Sequence, residues 1–301
     1  MPGSKLKNYL QLHFIVFIWG FTAILGKLIQ IEAVSLVWYR MLLAVIFIAF
    51  YLLRTPAKFR LEKKAVLKFV FSGIIIAVHW ITFFKAIKVS NVSVALVTMS
   101  TGAFFTAFLE PIFFKRKMNP VEFLMGFLVV VGLYIIFNFE SQYTLGILYA
   151  LLSSFLSALF SVLNGLYVKK YDATTISFYQ LLFGVVGVSC YLASQATFTS
   201  SFFAISTMDW VYLFVLSSVC TAYAFIASVK VMKYLTPYTV MLTINLEPIY
   251  AIVLALLIFG ESEEMKPEFY LGAVIVLGVV LVNGLIKNKL NSKLKIKLKN
   301  E

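Results

Sequence analysis

Charged side chains are scarce in this sequence. They make up 13% of the 301 residues, whereas hydrophobic side chains make up 61%. A soluble domain has about 25% charged residues and about 45–50% apolar residues. One water-soluble core of this length could not bury so much apolar surface. The composition therefore excludes an ordinary soluble domain and predicts a chain that is surrounded by lipid.

Cysteine and the usual catalytic motifs are also scarce or absent. Cys190 and Cys220 both lie in apolar runs, so we expect them to pack in helices and to form neither a disulfide nor a metal site. The sequence has no G-x-x-x-x-G-K-[ST] phosphate loop, no H-E-x-x-H motif and no convincing pair of nucleophile and base. We therefore expect no cofactor and no enzymatic activity.

Long apolar runs are abundant. A membrane-spanning helix needs about 20 mostly apolar residues, and ten segments meet this length, which predicts an all-α integral membrane protein with ten transmembrane helices. The ten predicted spans are Leu10–Ile29, Val34–Leu53, Val66–Ile87, Val92–Phe114, Val121–Phe139, Leu145–Val168, Thr174–Ser194, Met208–Met232, Pro237–Phe259 and Phe269–Ile286.

The basic residues between these spans are distributed unevenly. Of the 26 Lys and Arg residues, 21 lie on the side that holds the N terminus, four lie on the other side and Arg40 lies within a span. Lys and Arg concentrate in cytoplasmic loops. The sequence thus predicts that both termini are cytoplasmic and that residues 287–301 form a basic cytoplasmic tail. This topology explains the net charge of +13 without a nucleic-acid partner.

An internal repeat relates the two halves of the chain. Lys85 and Lys88 match Lys230 and Lys233 at an offset of 145 residues. The segment "PVEFLMGFLVVVG" matches "PEFYLGAVIVLG" at an offset of 146, and the matching glycines predict close helix contacts. These glycines are Gly126, Gly132, Gly272 and Gly278.

The repeat predicts two five-helix units, residues 10–139 and 145–286. Because five spans is an odd number, the second unit must enter the membrane in the opposite orientation. Two inverted repeats are a frequent architecture of secondary transporters, in which related halves rock about a central site.

Two acidic residues lie inside spans, each in the string L-E-P-I. Glu110 is five residues before Lys115, so it can reach the cytoplasmic surface or pair with Lys115 or Arg116. Glu247 lies near the middle of span nine and has no cation nearby in the sequence. An acid at such a depth is costly and is by default a functional hypothesis. Contact with a substrate amine, a proton site and a neutral acid bonded to another helix all remain open for Glu247.

Each acid is followed by a proline. Pro111 frees the carbonyl of Ala107 and Pro248 frees that of Ile244, because proline lacks the N–H that a helix needs. We therefore predict kinks in spans four and nine.

Other polar residues also lie within spans. Arg40 is a candidate for a structural or gating role, and His79 for a packing residue or a proton acceptor. At the repeat offset, Thr98 and Ser100 match Thr243 and Asn245, which could line a cavity or serve close packing.

The order of these motifs resembles the EamA branch of the drug/metabolite transporter superfamily. The resemblance rests on "FIWGFTAILGK" in span one, "WYR" in span two, the run from Phe83 to Lys117, and "LEPIYAIVLALLIFGE" in span nine. The first unit departs from the family pattern, because span four ends in Lys115-Arg116 where Gly-Glu is common.

This resemblance implies a secondary transporter of the bacterial inner membrane, often an exporter of amino acids or other small metabolites. It implies a central cavity lined by spans three, four, eight and nine, with contributions from one and six. The residues it points to are His79, Trp80, Thr98, Thr101, Tyr223, Asn245 and Glu247, with Trp19 and Asn164 at the rim.

The function predicted from these features is export by alternating access, with proton coupling through Glu247 as one option. The alternative is a channel, or a flippase for lipids or metabolites, without ion coupling. The expected partners are a small-molecule substrate, the lipid bilayer and, in the coupled case, protons. The gating or coupling candidates are Glu247, Glu110 and Arg40, and the sequence leaves monomer and homodimer both open.

Overall fold

The computed structural model describes residues 2–54, 62–115, 117, 120–279 and 282. Within these residues the chain forms helices with short connections and no strand. The helices are α1 (Pro2–Leu28), α2 (Ala33–Leu53), α3 (Lys63–Val89), α4 (Val92–Met99), α5 (Gly102–Phe114), α6 (Pro120–Phe139), α7 (Thr144–Tyr167), α8 (Ala173–Ser194), α9 (Ser200–Phe203), α10 (Thr207–Ser217), α11 (Ala224–Val231), α12 (Pro237–Ile244), α13 (Glu247–Phe259) and α14 (Pro267–Val279). The predicted basic tail, 287–301, lies outside the described residues.

Eight of the ten predicted spans form helical segments in the structure that are long and apolar enough to cross a membrane. They are residues Leu6–Leu28, Ala33–Leu53, Ala65–Val89, Val92–Phe114, Ser141–Tyr167, Ala173–Ser194, Thr207–Val231 and Pro237–Glu263. The protein is therefore a multi-pass membrane protein. The fifth predicted span corresponds to α6, with 20 residues, and the tenth corresponds to the shorter apolar helix α14. Ten crossings in two repeats remain a prediction.

Side-chain caps define the starts of several helices. Asn91, Asp172, Ser206 and Thr236 each accept a hydrogen bond from a backbone N–H of the first turn that follows. Such residues satisfy N–H groups that have no partner within the helix. These caps fix the starts of α4, α8, α10 and α12 immediately after the short connections.

Spans four and nine are each interrupted near the middle. Span four consists of α4 and α5, separated at Ser100–Thr101, and span nine consists of α12 and α13, separated at Asn245–Leu246. At the breaks the backbone forms tighter hydrogen bonds, with the N–H groups of Thr101, Asn245 and Leu246 each bonding the carbonyl three positions earlier. The two breaks are 145 residues apart, which is the offset of the internal repeat.

Kinks were predicted at the prolines of spans four and nine. Pro248 directly follows the break in span nine, as expected from the carbonyl it frees. Pro111, however, lies inside α5, which continues without interruption to Phe114. The kink at Pro111 therefore stays a prediction, and the interruption of span four falls at Ser100–Thr101.

The broken spans cross in opposite directions. The half-helix α12 packs against α5, whereas α13 packs against α4 and α1. Each half of span nine thus meets the opposite half of span four, and the two breaks face the same region of the interior. Span eight has an irregularity of another kind, a π-helical segment over Ser218–Tyr223 between α10 and α11.

The predicted glycine contacts hold for one pair. A Cβ atom on Gly132 would lie 3.1 Å from the carbonyl oxygen of Gly272, and one on Gly272 would lie 2.9 Å from that of Gly132. These two glycines therefore allow α6 and α14 to approach closely. Gly278 has open space around it.

Candidate functional site

A cavity lies where the breaks of spans four and nine meet the π-helical part of span eight. Its volume is about 90 Å³. One water molecule needs roughly 10–15 Å³, so the cavity has room for several waters or one small molecule. Spans one, two, three, four, six, eight and nine contribute to its walls. Seven of the residues predicted from the sequence line it: Trp19, Arg40, His79, Trp80, Asn164, Asn245 and Glu247.

Arg40 brings a fixed positive charge to this cavity. Its side chain is 2% exposed, and its Nε donates a hydrogen bond to Oγ1 of Thr221 at 2.7 Å. The guanidinium carbon lies 3.9 Å from the centre of the Trp80 ring. Its Nη1 has no hydrogen-bond partner among the described residues. The guanidinium is therefore held on two sides and keeps a donor that is unsatisfied.

The position of Arg40 depends on the π-helical segment of span eight. Oγ1 of Thr221 donates to the carbonyl of Leu216, five residues earlier, while it accepts from Arg40. The carbonyl of Cys220 accepts a hydrogen bond of 3.1 Å from Nε1 of Trp19. An inserted residue of this kind frees backbone groups and often occurs at functional sites.

Glu247 brings a carboxyl group to the same cavity. It is partly buried, stands in the first turn of α13 directly after the break, and lines the cavity. Helix N-termini favour a carboxylate because their N–H groups point toward it. Across the described residues, no ion pair shorter than 4.0 Å connects Glu247 to Arg40 or to another cation. The cavity wall therefore contains a guanidinium and a carboxyl group that do not form an ion pair.

His79 is held by span six. Its Nδ1 donates to the carbonyl oxygen of Ser153 at 2.9 Å, and the Ser153 hydroxyl donates to the carbonyl of His79 at 2.9 Å. With Nδ1 as the donor, a neutral ring carries its free lone pair on Nε2. His79 thus connects α3 to α7 and also lies in the cavity wall.

Two buried amides contribute further polar groups. Oδ1 of Asn164 accepts a hydrogen bond of 2.6 Å from Gln180. Nδ2 of Asn164 and Nδ2 of Asn245 have no partner among the described residues. Asn164 is 1% exposed and lies in the wall itself, deeper than the rim position that the resemblance implied. Both amides are thus donors available to a bound molecule.

Four predicted residues lie outside the cavity. Thr98 is completely buried, and the hydroxyl of Thr101 bonds Thr98 and Ser154 at 2.8 Å in the contact between span four and span six. Tyr223 is 46% exposed on the outer face of span eight. Glu110 is not among the residues that line the cavity, so a substrate contact by any of these four residues stays a prediction.

Sequence reasoning missed several cavity residues. The aromatic residues Phe83, Phe160 and Phe225 form apolar wall, and Ser157 and Ser161 present a row of hydroxyls one helical turn apart on α7. That spacing of small polar residues in an apolar span was the available signal. Cys220, which was predicted to pack only, also lines the cavity.

Glu110 instead contacts the first turn of span nine. It is 2% exposed, and its Oε2 accepts a hydrogen bond of 2.8 Å from the backbone N–H of Tyr238. We call this contact the inner cap. The predicted pairing of Glu110 with Lys115 or Arg116 stays a prediction, and Arg116 lies outside the described residues.

A second carboxylate contacts the first turn of span four. Glu263, which is completely buried, accepts hydrogen bonds from the backbone N–H groups of Val92 at 3.0 Å and Ser93 at 2.9 Å, and from the Ser93 hydroxyl at 2.9 Å. Lys27 pairs with it at 2.7 Å. We call this contact the outer cap. Each broken span therefore ends in a carboxylate that caps the start of the other.

The described residues contain no group of three or more His, Cys, Asp or Glu side chains arranged to hold a metal ion. The arrangement instead suits a small organic molecule, because apolar and aromatic walls surround a few convergent polar groups.

Comparison with known proteins agrees with this description. The model of the EamA-like transporter family matches residues 7–138 and again residues 144–284. Similar proteins include "Uncharacterized transporter YxxF" of Bacillus subtilis (strain 168), 21% identical over 291 residues, which are 93% of this chain and 89% of the relative. "Uncharacterized transporter YdfC" of the same organism is 24% identical over 211 residues, 68% of this chain and 66% of the relative.

The fold also matches known structures. One crystal structure, described only as a protein, superposes with a TM-score of 0.69 over 93% of this chain and 98% of its own length, at 12% sequence identity. A likeness at this identity supports the fold alone. The family model, in contrast, covers nearly the whole chain, and the protein therefore belongs to the EamA-like transporter family.

Proposed function

We propose that the protein is a secondary active transporter that exports small metabolites such as amino acids by alternating access. The observation that carries this proposal is the cavity at the two helix breaks, with the Arg40 guanidinium and the Glu247 carboxyl group in its wall. Transporters commonly bind substrate near the bilayer midplane where discontinuous helices present free backbone groups and helix ends.

The two-repeat architecture is part of this proposal. Two separate matches to one family model, residues 7–138 and 144–284, support two related five-helix units. The breaks at Ser100–Thr101 and Asn245–Leu246 occupy equivalent positions in the repeat, and Ser100 and Asn245 both line the cavity. Inverted units of this kind give outward-open and inward-open states similar packing.

We propose that the inner and outer caps are the gates of this cycle. Glu110 joins the inner end of span four to the start of span nine, and Glu263 joins the outer end of span nine to the start of span four. Opening the cavity to one side requires spans four and nine to separate at that end, which breaks one cap and leaves the other intact. Arg40 belongs to the gating proposal as well, because it ties span two to span eight through Thr221.

Proton coupling is proposed to act through Glu247. The other titratable or charged groups in the cavity wall are Arg40, His79 and Cys220. Of these, His79 is engaged with Ser153 and Arg40 with Thr221. A carboxylate that binds either a proton or a substrate cation couples the two fluxes in opposite directions.

We further propose location in the bacterial inner membrane with both termini in the cytoplasm. The support is the excess of 21 basic residues over four on the proposed inner side. In this orientation the inner cap lies on the cytoplasmic side.

Transport by the purified protein in liposomes tests the proposal. We expect saturable uptake of radiolabelled substrate that accelerates when the vesicles contain unlabelled substrate. Uptake that rises linearly with concentration indicates a channel, and scrambling of fluorescent lipid indicates a flippase. If no member of a broad panel of amino acids, sugars, nucleosides and amines moves, the transporter assignment to these substrates is wrong.

A further inference from the structure

Six aromatic rings join spans two, seven and eight at one end of the helix bundle, away from the cavity. The centroid of each ring lies within 5.4 Å of at least one other ring of the set. We call this set the aromatic cluster, and it consists of Trp38, Tyr39, Phe198, Phe202, Phe203 and Trp210. Its three phenylalanines come from the connection between spans seven and eight, which includes the one-turn helix α9 and lies on the proposed outer side.

The depth of α9 in the membrane follows from its contact with span two. The Phe202 ring stacks on the Tyr39 ring, with 5.3 Å between centroids and 19° between planes, and the Phe202 carbonyl accepts a hydrogen bond of 3.1 Å from the Tyr39 hydroxyl. Tyr39 lies about 9 Å along the helix axis from the first residue of α2, at about 1.5 Å per residue. The 21 residues of α2 cover about 32 Å, close to the thickness of the hydrocarbon core of a bilayer. Helix α9 therefore lies level with the boundary between headgroups and acyl chains.

The composition of the connection suits this boundary. Residues 195–206 contain no charged side chain, and three of these twelve residues are phenylalanine. The polar residues among them are serine, threonine and one glutamine, and Thr199, Ser200 and Ser201 are exposed. Helices that lie in the plane of the interface bury aromatic and apolar side chains at the acyl boundary and turn a polar face to the headgroups.

Helix α9 exposes a different surface on each side. Phe202 packs against the protein core, whereas Phe203 is 53% exposed. Successive residues of a helix are rotated by about 100°, so Ser201 and Phe203 flank Phe202 on opposite sides. Ser201 is exposed as well. The same helical turn thus exposes a hydroxyl on one side and a phenyl ring on the other.

The exposed phenyl surface adjoins a surface that faces lipid. Trp210 and Val211 are both exposed on α10, which belongs to the membrane-spanning segment Thr207–Val231. Exposed apolar side chains on such a segment contact acyl chains. The rings of the aromatic cluster connect Phe203 to Trp210, because the Trp210 ring lies 5.4 Å from that of Tyr39. Phe203 therefore extends the lipid-facing surface of span eight.

We propose that α9 and the adjoining Phe198 form an anchor in the membrane plane that binds phospholipid, with Phe198 and Phe203 among the acyl chains and Ser201 toward the headgroups. The inference goes beyond the proposed function, because it rests only on membrane insertion and on the packing of α9. It also gives span two a lipid-bound contact at Tyr39, one residue before Arg40.

Spin labels on opposite sides of α9 test the anchor in liposomes. The full-length protein, with Cys190→Ser and Cys220→Ser, carries one new cysteine, either Phe203→Cys or its matched control Ser201→Cys. Electron paramagnetic resonance measures collisions of the attached nitroxide with oxygen, which concentrates among acyl chains, and with a water-soluble nickel chelate. Two exposed positions calibrate the scale, Val211→Cys for lipid and Glu261→Cys for water.

We expect the ratio of oxygen to nickel collisions at Phe203→Cys to exceed that at Ser201→Cys by about 5-fold and to approach that at Val211→Cys. A ratio as low as at Glu261→Cys would place the ring in water and overturn the proposal. Infrequent collisions with both reagents would place the ring against protein, and spin–spin broadening would identify that protein as a second copy. Either result overturns lipid binding. None of these outcomes depends on a substrate, so the anchor and the transporter proposal can fail separately.

Charge substitutions provide a second test without a label. Phe203→Asp places a carboxylate among acyl chains, which is costly, whereas Phe203→Asn removes the same ring without adding a charge. In lipid nanodiscs we expect Phe203→Asp to unfold at a lower temperature than Phe203→Asn, and Ser201→Asp to unfold at the same temperature as Ser201→Asn. Equal unfolding temperatures for the two variants of Phe203 would contradict its contact with lipid.

Discussion

The carboxylate of Glu110 accepts a hydrogen bond of 2.8 Å from the backbone N–H of Tyr238, across 128 positions of the sequence. Tyr238 is the second residue of α12, and N–H groups in a first helical turn have no partner within the helix. Glu263 forms the corresponding contact with Val92 and Ser93 in the first turn of α4. Spans four and nine are thus connected at both ends by carboxylates, one near each face of the membrane.

The inner cap gives a prediction about access to the cavity. Glu110→Ala removes the acceptor for the Tyr238 N–H, and loss of such a cap costs about 0.5–2 kcal/mol. We expect the inward-open state to become more populated, so that the cavity is reached more readily from the cytoplasmic side.

The chain provides its own reporter for this measurement. Cys190 and Cys220 are the two cysteines of the sequence, and only Cys220 lines the cavity. In a Cys190→Ser background, Glu110→Ala should increase the rate at which a membrane-impermeant thiol reagent labels Cys220 from the cytoplasmic side by about 3- to 10-fold. Glu110→Gln, which keeps an acceptor oxygen, serves as the matched control. Equal labelling rates in wild type and Glu110→Ala would exclude a gating role.

The outer cap predicts the opposite polarity. Glu263→Ala removes the acceptor for two backbone N–H groups and the partner of Lys27, so its effect should exceed that of the inner cap. We expect faster labelling of Cys220 from the external side and no increase from the cytoplasmic side. Glu261→Ala is the control, because Glu261 is exposed on the same short turn. Acceleration from both sides equally would indicate general loosening of the fold rather than a gate.

Much of the architecture could be predicted from the sequence because its determinants are local. Spans of about 20 apolar residues, an acid at Glu247 and the repeat offset are all legible without tertiary structure. The family assignment followed from the order of those features. The cavity position of Glu247 agrees with what the resemblance implied, whereas Arg40 was expected only in a structural or gating role and also lines the cavity.

Features that depend on contacts between distant elements were not predicted. Glu263 was not singled out, since nothing near it in the sequence indicates that it caps span four. The break of span four at Ser100–Thr101 was not predicted, because the only local signal in that span was the proline at Pro111. Tyr223 was expected to face the cavity, but the π-helical insertion shifts the register of span eight and directs it outward.

The packing of spans three and seven gives a prediction about stability. A Cβ atom on Gly184 would lie 2.9 Å from the carbonyl oxygen of Gly73 and would also overlap the side chain of Met41. Backbone cannot move away as a flexible side chain can, and overpacking typically costs about 1–3 kcal/mol. Gly184→Ala should therefore lower the midpoint of thermal unfolding in detergent.

Gly187 is the matched control because it lies on the same helix. A Cβ there would meet only Cγ1 of Ile74 at 3.7 Å, an ordinary contact. Since alanine also has a higher helix propensity than glycine by about 1 kcal/mol, Gly187→Ala should leave the midpoint unchanged or raise it. A Gly184→Ala protein at least as stable as Gly187→Ala would contradict the described approach of α3 and α8.

Proton coupling makes a directional prediction for Glu247. If a proton and the substrate compete for this carboxylate, an inward-directed proton gradient drives substrate efflux, and wild-type transport should increase with the size of the gradient. Glu247→Gln cannot bind a proton at this site, so its transport should no longer respond to the gradient. Exchange of labelled for unlabelled substrate at symmetrical pH should persist in any variant that still binds the substrate. His79→Gln serves as the comparison, because His79 contributes an imidazole to the same cavity wall. Gradient-driven efflux that survives Glu247→Gln and disappears in His79→Gln would transfer the coupling role to the histidine.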